Sequence, residues 1–325
     1  MKITGDISQL RIPMRNNPLG CTFSYLLVND ATLVDLGVGT KDAESALKSQ
    51  LGENGLRVSD IEKVIITHLH NDHIGLLHYI KSSSKASIYV HEKALDILNQ
   101  RSGMAVRGQS GVKEETRLLG GGELLKLMGT VEEVLRPNPN FVEIDETLQD
   151  GEAMKLREKT LGVIWTPGHA REEICLYDSD EQVLFSGDHV LPEITPHISL
   201  HAFEKGNPLL DYLSSLDKVK GLKVKLVLPA HEHIFYNLEE RVEQIKRHHR
   251  ERCNEIENEL RKGERTVYQI SAHISWNSRP WNQMPFWTKR MAAAETLTHL
   301  AYLEEKREVT ERTVDGVMYF SLAKQ

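Results

Sequence analysis

Short apolar runs alternate with helix-like stretches through the first two thirds of the chain. Residues 22–29 and 31–36 read as strands joined by an Asn29-Asp30 turn. Residues 42–51 open on Asp42 and predict a short helix. A strand is expected over 64–67, a helix starting within 74–80, and a returning strand at 87–90. The runs 161–165, 183–187 and 225–229 read as buried strands, each ending at a turn. Strands of this kind, alternating with helices, predict an α/β fold in which sheets are covered by helices.

Two stretches break the pattern. Residues 93–143 predict helices at 93–100 and 123–128 around Gly120-Gly121-Gly122, and also hold Arg101, Arg107, Arg117, Pro137 and Pro139. An insertion of this length is either a lid or pocket wall, or an ordinary helical cover for a sheet. From Leu238 the chain becomes a charged amphipathic helix over 238–262, marked by Leu238, Val242, Ile245, Ile256 and Leu260 and ended by Gly263. Helices at 266–274 and 288–305 follow, split by an aromatic link of Trp276, Trp281 and Trp287. A hairpin is expected from 309–313 and 317–322 around Asp315-Gly316. The expected division is a domain over 1–236, with 93–143 as its insertion, and a smaller one over 237–325.

Composition narrows the setting. A chain of 325 residues with 40% hydrophobic content can bury a sizeable core. Cys21, Cys175 and Cys253 show no CxxC spacing, which points to a reducing compartment and structural thiols. Residues 1–14 lack the basic-then-apolar order of a signal peptide, and no apolar run reaches the length of a membrane span. A cytoplasmic protein without a membrane partner is expected.

The chemistry concentrates in Thr67-His68-Leu69-His70-Asn71-Asp72-His73, directly after the apolar run ending at Ile66. Imidazole and carboxylate suit a borderline first-row ion such as zinc. His68 and His70 are two apart and point the same way in an extended segment. Asp72 and His73 are adjacent and must diverge, which suits two neighbouring ions better than one. Three later strand ends carry the same residue types: His169 in Thr166-Pro167-Gly168-His169, Asp188 after Ser186-Gly187, and His231 after Pro229-Ala230. Rigid strand ends are where a scaffold holds ligands most accurately.

With these motifs in this order, residues 1–236 resemble the metallo-β-lactamase superfamily of dinuclear metallohydrolases. The resemblance implies an αββα sandwich with the site at one edge of its two sheets. It implies that His68, His70 and His169 hold a first divalent ion, that Asp72, His73 and His231 hold a second, and that Asp188 bridges them. In that family the ions share a water or hydroxide, which attacks the substrate while Asp72 orients it and shuttles its proton. Asp35 occupies the family's early strand-end position and is expected to support a ligand histidine, or to cap the following turn. Zinc is the first choice of metal, with manganese or iron as alternatives. The family's usual Gly-His-Gly around the last ligand is replaced here by Ala230-His231-Glu232-His233. His70 rather than Glu separates the chain from the diiron flavoprotein branch, and Asp188 rather than Cys from common lactamases. Single-iron persulfide dioxygenases share the first cluster and stay open.

The segment after Asp188, with Pro192 and Pro196, makes His197 and His201 candidates for binding substrate or donating to an oxyanion. Helices followed by a hairpin make the tail similar to the winged helix carried by some superfamily members, a lactamase-like ribonuclease group among them. Residues 237–325 carry 15 Lys+Arg against 14 Asp+Glu, and the remainder 25 against 33. A net of +1 on the tail is not the basic stripe that phosphate binding requires. The favoured function is therefore hydrolysis of a small acyl substrate (thioester, lactone or ester), similar to glyoxalase II and its relatives. The alternative is a phosphodiesterase or endoribonuclease acting on single-stranded RNA. The amphipathic tail helix makes a homodimer reasonable.

Overall fold

A computed structural model describes residues 1–104, 108–128, 144–277 and 279–324, with the side chains of 99–104, 108 and 109 left aside. Arg107, Pro137, Pro139 and the side chain of Arg101, all named in the 93–143 expectation, lie outside what is described. Contacts divide the chain into two units, one of residues 1–98, 138–196 and 215–242, the other of 99–137, 197–214 and 243–325.

Among the described residues the first unit holds two sheets. The first runs in order β1 (Lys2–Thr4), β2 (Ile7–Pro13), β3 (Cys21–Leu27), β4 (Thr32–Val34), β5 (Lys63–Ile65), β6 (Ser87–His91) and β7 (Glu146–Leu148). It is antiparallel from β1 to β4 and parallel from β4 to β7. The second has the order β12 (Leu226–Pro229), β11 (Val183–Gly187), β10 (Ile174–Asp178), β9 (Thr160–Trp165) and β8 (Ala153–Lys155).

Alternation along the strands sorts the side chains into layers. Phe23, Tyr25, Leu27, Val34 and Ile65 meet Ile174, Leu176, Val183, Phe185 and Leu228 in one cluster between the sheets. Leu10, Ile12, Leu26, Leu33 and Val64 face the other way, onto Ala43, Leu47 and Leu51 of α1 (Lys41–Glu53) and Leu77 and Ile80 of α3 (Leu77–Ser83). Cys175, Leu184 and Val227 point away from the intersheet cluster and are also fully buried. Residues 215–220 of α6 (Pro208–Lys220) supply that outer layer, with Leu216 and Val219 buried and Ser215 Oγ donating to the Pro167 carbonyl at 2.9 Å. The result is the expected αββα sandwich.

The helix expected within 74–80 is in fact two. α2 (Asn71–Ile74) stops at Gly75, and α3 starts at Leu77. A Cβ on Gly75 would lie 2.1 Å from the Gly39 nitrogen, so two backbones touch where any other residue would part them. That contact seats the end of α2, directly after Asp72 and His73.

The second unit is built on its own core. Ile256 and Leu260 of α7 (Leu238–Leu260), Val267 and Ile270 of α8 (Val267–Ser271) and Leu297, Leu300 and Leu303 of α9 (Phe286–Glu305) pack with Phe320. β14 (Val309–Val314) and β15 (Val317–Leu322) form the expected hairpin, and β13 (Arg265–Thr266) adds a third strand beside β15. Leu119, at the end of α5 (Gly108–Leu118), joins this core, and its carbonyl accepts from the Tyr268 amide at 3.1 Å. Trp276 and Trp281 pack against the same cluster, and the Arg252 guanidinium lies 4.4 Å over the Trp276 ring. No helix among the described residues is long and apolar enough to cross a membrane.

Candidate metal centre

Four strand ends of the first unit converge. The loop after β5 brings His68 and His70, α2 brings Asp72 and His73, and the turns after β9, β11 and β12 bring His169, Asp188 and His231. All seven sequence-predicted residues are gathered in two groups. His68, His70, His169 and Asp188 form one, and Asp72, His73 and His231 the other, with the nitrogen and oxygen atoms of each group within 4.8 Å of one another.

Asp188 faces both groups. Its Oδ2 lies 3.5 Å from His169 Nε2 and 4.0 Å from His68 Nε2. Its Oδ1 lies 3.5 Å from His73 Nε2 and 3.4 Å from His231 Nε2. His70 turns Nδ1 inward, 2.9 Å from His68 Nε2 and 3.0 Å from His169 Nε2. Asp72 Oδ2 is 3.4 Å from His231 Nε2.

The outer ring atoms fix which nitrogen turns inward. His73 Nδ1 donates to Asp35 Oδ2 at 2.8 Å, and His231 Nδ1 donates to the Cys21 carbonyl at 3.0 Å. Asp35 Oδ2 also accepts from Thr67 Oγ1 at 2.8 Å, and Oδ1 from the Thr67 amide at 2.9 Å. Asp35 does this from a left-handed backbone, φ +56°. Its carboxylate therefore grips both the first ligand loop and His73.

Burial and charge then set the protonation of the metal-free site. Burial, reinforced by the imidazoles of His73 and His70, holds His68 well below its ordinary range. His70 is brought to about 3 by burial and by His169. For His73 burial works against the charged form, but Asp35 and Asp188 outweigh it and raise it well above the ordinary value. Burial is likewise outweighed at His231, where the nearby Asp188 and Asp72 carboxylates raise the ring to about 10. Asp72 falls to about 2, because His231 and His73 overcome its burial.

This donor set fits a bound cation. His73 Nε2, His231 Nε2 and Asp188 Oδ1 are buried and have no hydrogen-bond partner, an arrangement that costs free energy unless something else engages them. Imidazole nitrogens and carboxylate oxygens are the ligands that first-row divalent ions take. Protons on His73 and His231 would leave as an ion enters, so uptake is coupled to proton release.

Two residues the sequence pattern does not single out complete the frame. Glu172 Oε1 accepts the amide of Leu69, between the first two histidines, at 3.0 Å. Glu173 Oε1 accepts the amide of Asp188 at 3.0 Å, and burial, then Asp188, pushes its carboxyl well above the usual range. They follow His169 by three and four residues, so one short segment braces three ligand turns. A Glu-Glu pair reads as solvated charge in a sequence, and nothing in its spacing marks it as buried.

His197 and His201 belong to the second unit. His197 Nδ1 is 3.0 Å from Glu295 Oε2, and His201 Nδ1 is 3.1 Å from Glu115 Oε1.

Comparison with known proteins agrees with this geometry. Residues 19–231 match the family model described as the metallo-beta-lactamase superfamily. The chain belongs to that superfamily. A probable metallo-hydrolase of Bacillus subtilis, YqjP, is 26% identical over 337 residues and is covered over 99% of both chains. A metallo-beta-lactamase family protein of Thermus thermophilus shares the structure with a TM-score of 0.78 at 30% identity, over 98% of each chain. An acyl-coenzyme A thioesterase of Bos taurus, MBLAC2, is 28% identical over 185 residues, 53% of this chain and 56% of its own. The first two superfamily relatives extend through the second unit, whereas the family model stops at His231.

Proposed function

We propose that the protein is a dinuclear metal-dependent hydrolase of small acyl substrates, with thioesters first and lactones or other esters next. The observation that carries this reading is the pair of ligand groups sharing Asp188, in which His73 Nε2, His231 Nε2 and Asp188 Oδ1 are buried without a hydrogen-bond partner. The thioesterase activity in the name of the bovine relative supports a thioester over other acyl groups.

His68, His70 and His169 would hold one ion and Asp72, His73 and His231 the other, with Asp188 between them. Zinc is the first candidate because it is redox-inert and accepts these nitrogen and oxygen ligands. Such ions, when bound, supply the positive charge that acidifies water and polarises an acyl oxygen. The rest is the work of the side chains. Asp35 and the Cys21 carbonyl hold His73 and His231 in the tautomer that leaves Nε2 facing inward. Asp72 is the more exposed carboxylate of the site, 24% against 11% for Asp188. Held ionised by His231 and His73, its carboxylate can accept a proton from the attacking water and return it to the leaving thiolate. The water oxygen joins the acyl carbon, the C–S bond breaks, and a carboxylic acid and a thiol result. No thiol of the chain takes part, since burial raises Cys21, Cys175 and Cys253, the last to about 12.

A second reading, cleavage of single-stranded RNA, is favoured by one observation. The order α7, β13, α8, α9, β14, β15 resembles that of a winged helix, a common nucleic-acid module. The balanced charge of residues 237–325 speaks against it. The test is a hydrolysis screen of purified protein of known metal content, setting acyl-thioesters and lactones beside single-stranded RNA, with Asp72→Ala as control. Thioester or lactone turnover lost in the variant is the expected result. RNA cleavage with the same dependence would replace the acyl reading, and silence on both with metal bound would reject both substrate classes.

A further inference from the structure

Glu232 directly follows the ligand-type residue His231, and it holds a left-handed backbone, φ +69°, which glycine adopts freely and glutamate does not. What keeps it there is visible in its side chain. Oε2 accepts the backbone amides of Glu193 at 3.0 Å and Ile194 at 3.3 Å. The opposite side of the same segment is held by Arg241, near the start of α7. Its Nε donates to the Leu191 carbonyl at 2.6 Å, and its Nη2 to the carbonyls of Glu193 and Ile194 at 2.8 and 2.7 Å. A carboxylate thus takes the donors of this segment and a guanidinium its acceptors, both through charge-assisted hydrogen bonds.

The segment begins three residues after Asp188. Asp188 Oδ1 and His231 Nε2, 3.4 Å apart, are buried neighbours with no hydrogen-bond partner. They sit on the turns after β11 and β12, which are adjacent parallel strands. At the ends of those strands, the Ala230 amide donates to the Gly187 carbonyl at 2.9 Å, just before each ligand. Glu232 supplies the corresponding tie on the far side of each.

We infer that Glu232 is a positioning residue: by clamping the 191–194 segment to the His231 turn it sets the spacing of His231 and Asp188, and so the affinity of the second metal position. This rests on the dinuclear reading above, but half of its test does not need a metal.

Hydrogen exchange of peptides covering residues 190–196, followed by mass spectrometry, and zinc titration calorimetry would be compared in the parent, Glu232→Gln, Glu232→Ala and Glu232→Gly chains. In metal-free protein the Ala and Gly variants should exchange the Glu193 and Ile194 amides at least about tenfold faster. Gln, whose Oε1 still accepts, should stay near the parent. The second zinc equivalent should weaken about tenfold in Ala and Gly, with the first unchanged. The Gly variant suits the left-handed backbone, so its result reports loss of the carboxylate and not a misfolded turn. Unchanged exchange in Ala and Gly would overturn the clamp, as would failure of Gln to rescue. Faster exchange with the second equivalent bound as in the parent would overturn its link to the metal position. A parent that takes up only one zinc would instead reject the dinuclear reading, leaving the clamp to stand or fall on the exchange data.

Discussion

Asp35 is the residue on which the site leans most. Three donors converge on its carboxylate, and replacing it by Asn would leave at least one of them facing an amide that cannot accept. Asp35→Asn should cost about 1–3 kcal/mol in chemical unfolding, the usual result of a buried donor left unpaired. It should also lower metal affinity about 10- to 100-fold in chelator competition, since the His73 ring loses its orienting partner. Asn tolerates the left-handed backbone, so the variant separates the carboxylate's role from strain. Gly187→Ala probes the same spot differently. A Cβ there, at φ +52°, would meet Thr67 Oγ1 at 2.9 Å and Cβ at 3.0 Å. A loss of about 1–3 kcal/mol is expected in the same assay, through strain and displacement of Thr67. At this scale the sequence is most legible where residue type and spacing carry the chemistry, as in the 68–73 cluster and the turns at His169, Asp188 and His231. It is least legible where a common residue is made unusual by its surroundings. Glu173 is fully buried and Glu232 is left-handed, and neither fact has a signature in one dimension.

Among the elements, β3 does more for the site than its apolar sequence suggests. All seven of its residues are buried, and it reaches across to the end of β12 in the other sheet. The Phe23 amide donates to the Ala230 carbonyl at 2.7 Å, the Cys21 carbonyl accepts from His231, and the Tyr25 hydroxyl donates to the Pro229 carbonyl at 2.6 Å. Tyr25→Phe removes the last tie while preserving the ring that packs edge-on against Phe185. It should cost about 1–3 kcal/mol, the Pro229 carbonyl being left buried without that donor, and thermal unfolding would read it. A variant as stable as the parent would mean that the backbone ties alone seat the His231 turn. The run of β3 is visible as a strand within about two residues, because Cys21, Phe23, Tyr25 and Leu27 alternate along one apolar face. β2 is not legible in the same way: Ser8, Gln9 and Arg11 are interspersed with Ile7, Leu10 and Ile12 as in a half-exposed strand, yet Ser8 and Gln9 are buried. Partners from distant chain segments decide this, with Ser8 Oγ donating to Asn54 and Gln9 Nε2 to Tyr25.

At the level of the whole chain, the metal site is built entirely from the first unit, and the second carries a titratable core of its own. His299 Nδ1 donates to the Glu295 carbonyl at 2.8 Å, which leaves Nε2 to accept from His249 Nδ1 at 3.0 Å. Both rings are buried and, in that arrangement, neutral. Burial, outweighing the opposing pull of Glu295, lowers His299 to about 4, and burial with the neighbouring His299 and His248 takes His249 well below its ordinary value. Unfolded imidazole titrates at about 6.5. Below that pH the unfolded chain binds protons that the native pair refuses, so stability falls as pH drops from about 6.5 toward about 4. His299 alone should account for a loss on the order of 2 kcal/mol between pH 7 and pH 5. Glu295 adds a later step. Burial raises a carboxyl, but the His197 hydrogen bond prevails and sets it at about 2, so its contribution is present above the unfolded value near 4.5 and is lost as pH falls toward 2. Denaturant titrations at pH 7, 6 and 5 would measure the first step. His299→Gln offers a side-chain oxygen to His249 without titrating, and it should flatten the dependence over that range. An unchanged slope in the variant would assign the acid sensitivity to other groups. His73 and His231 shift upward, so their contribution is full below about 6.5 and is lost only as pH rises above it; they touch only the pH 7 end of this range, and the variant-minus-parent difference removes what they add there.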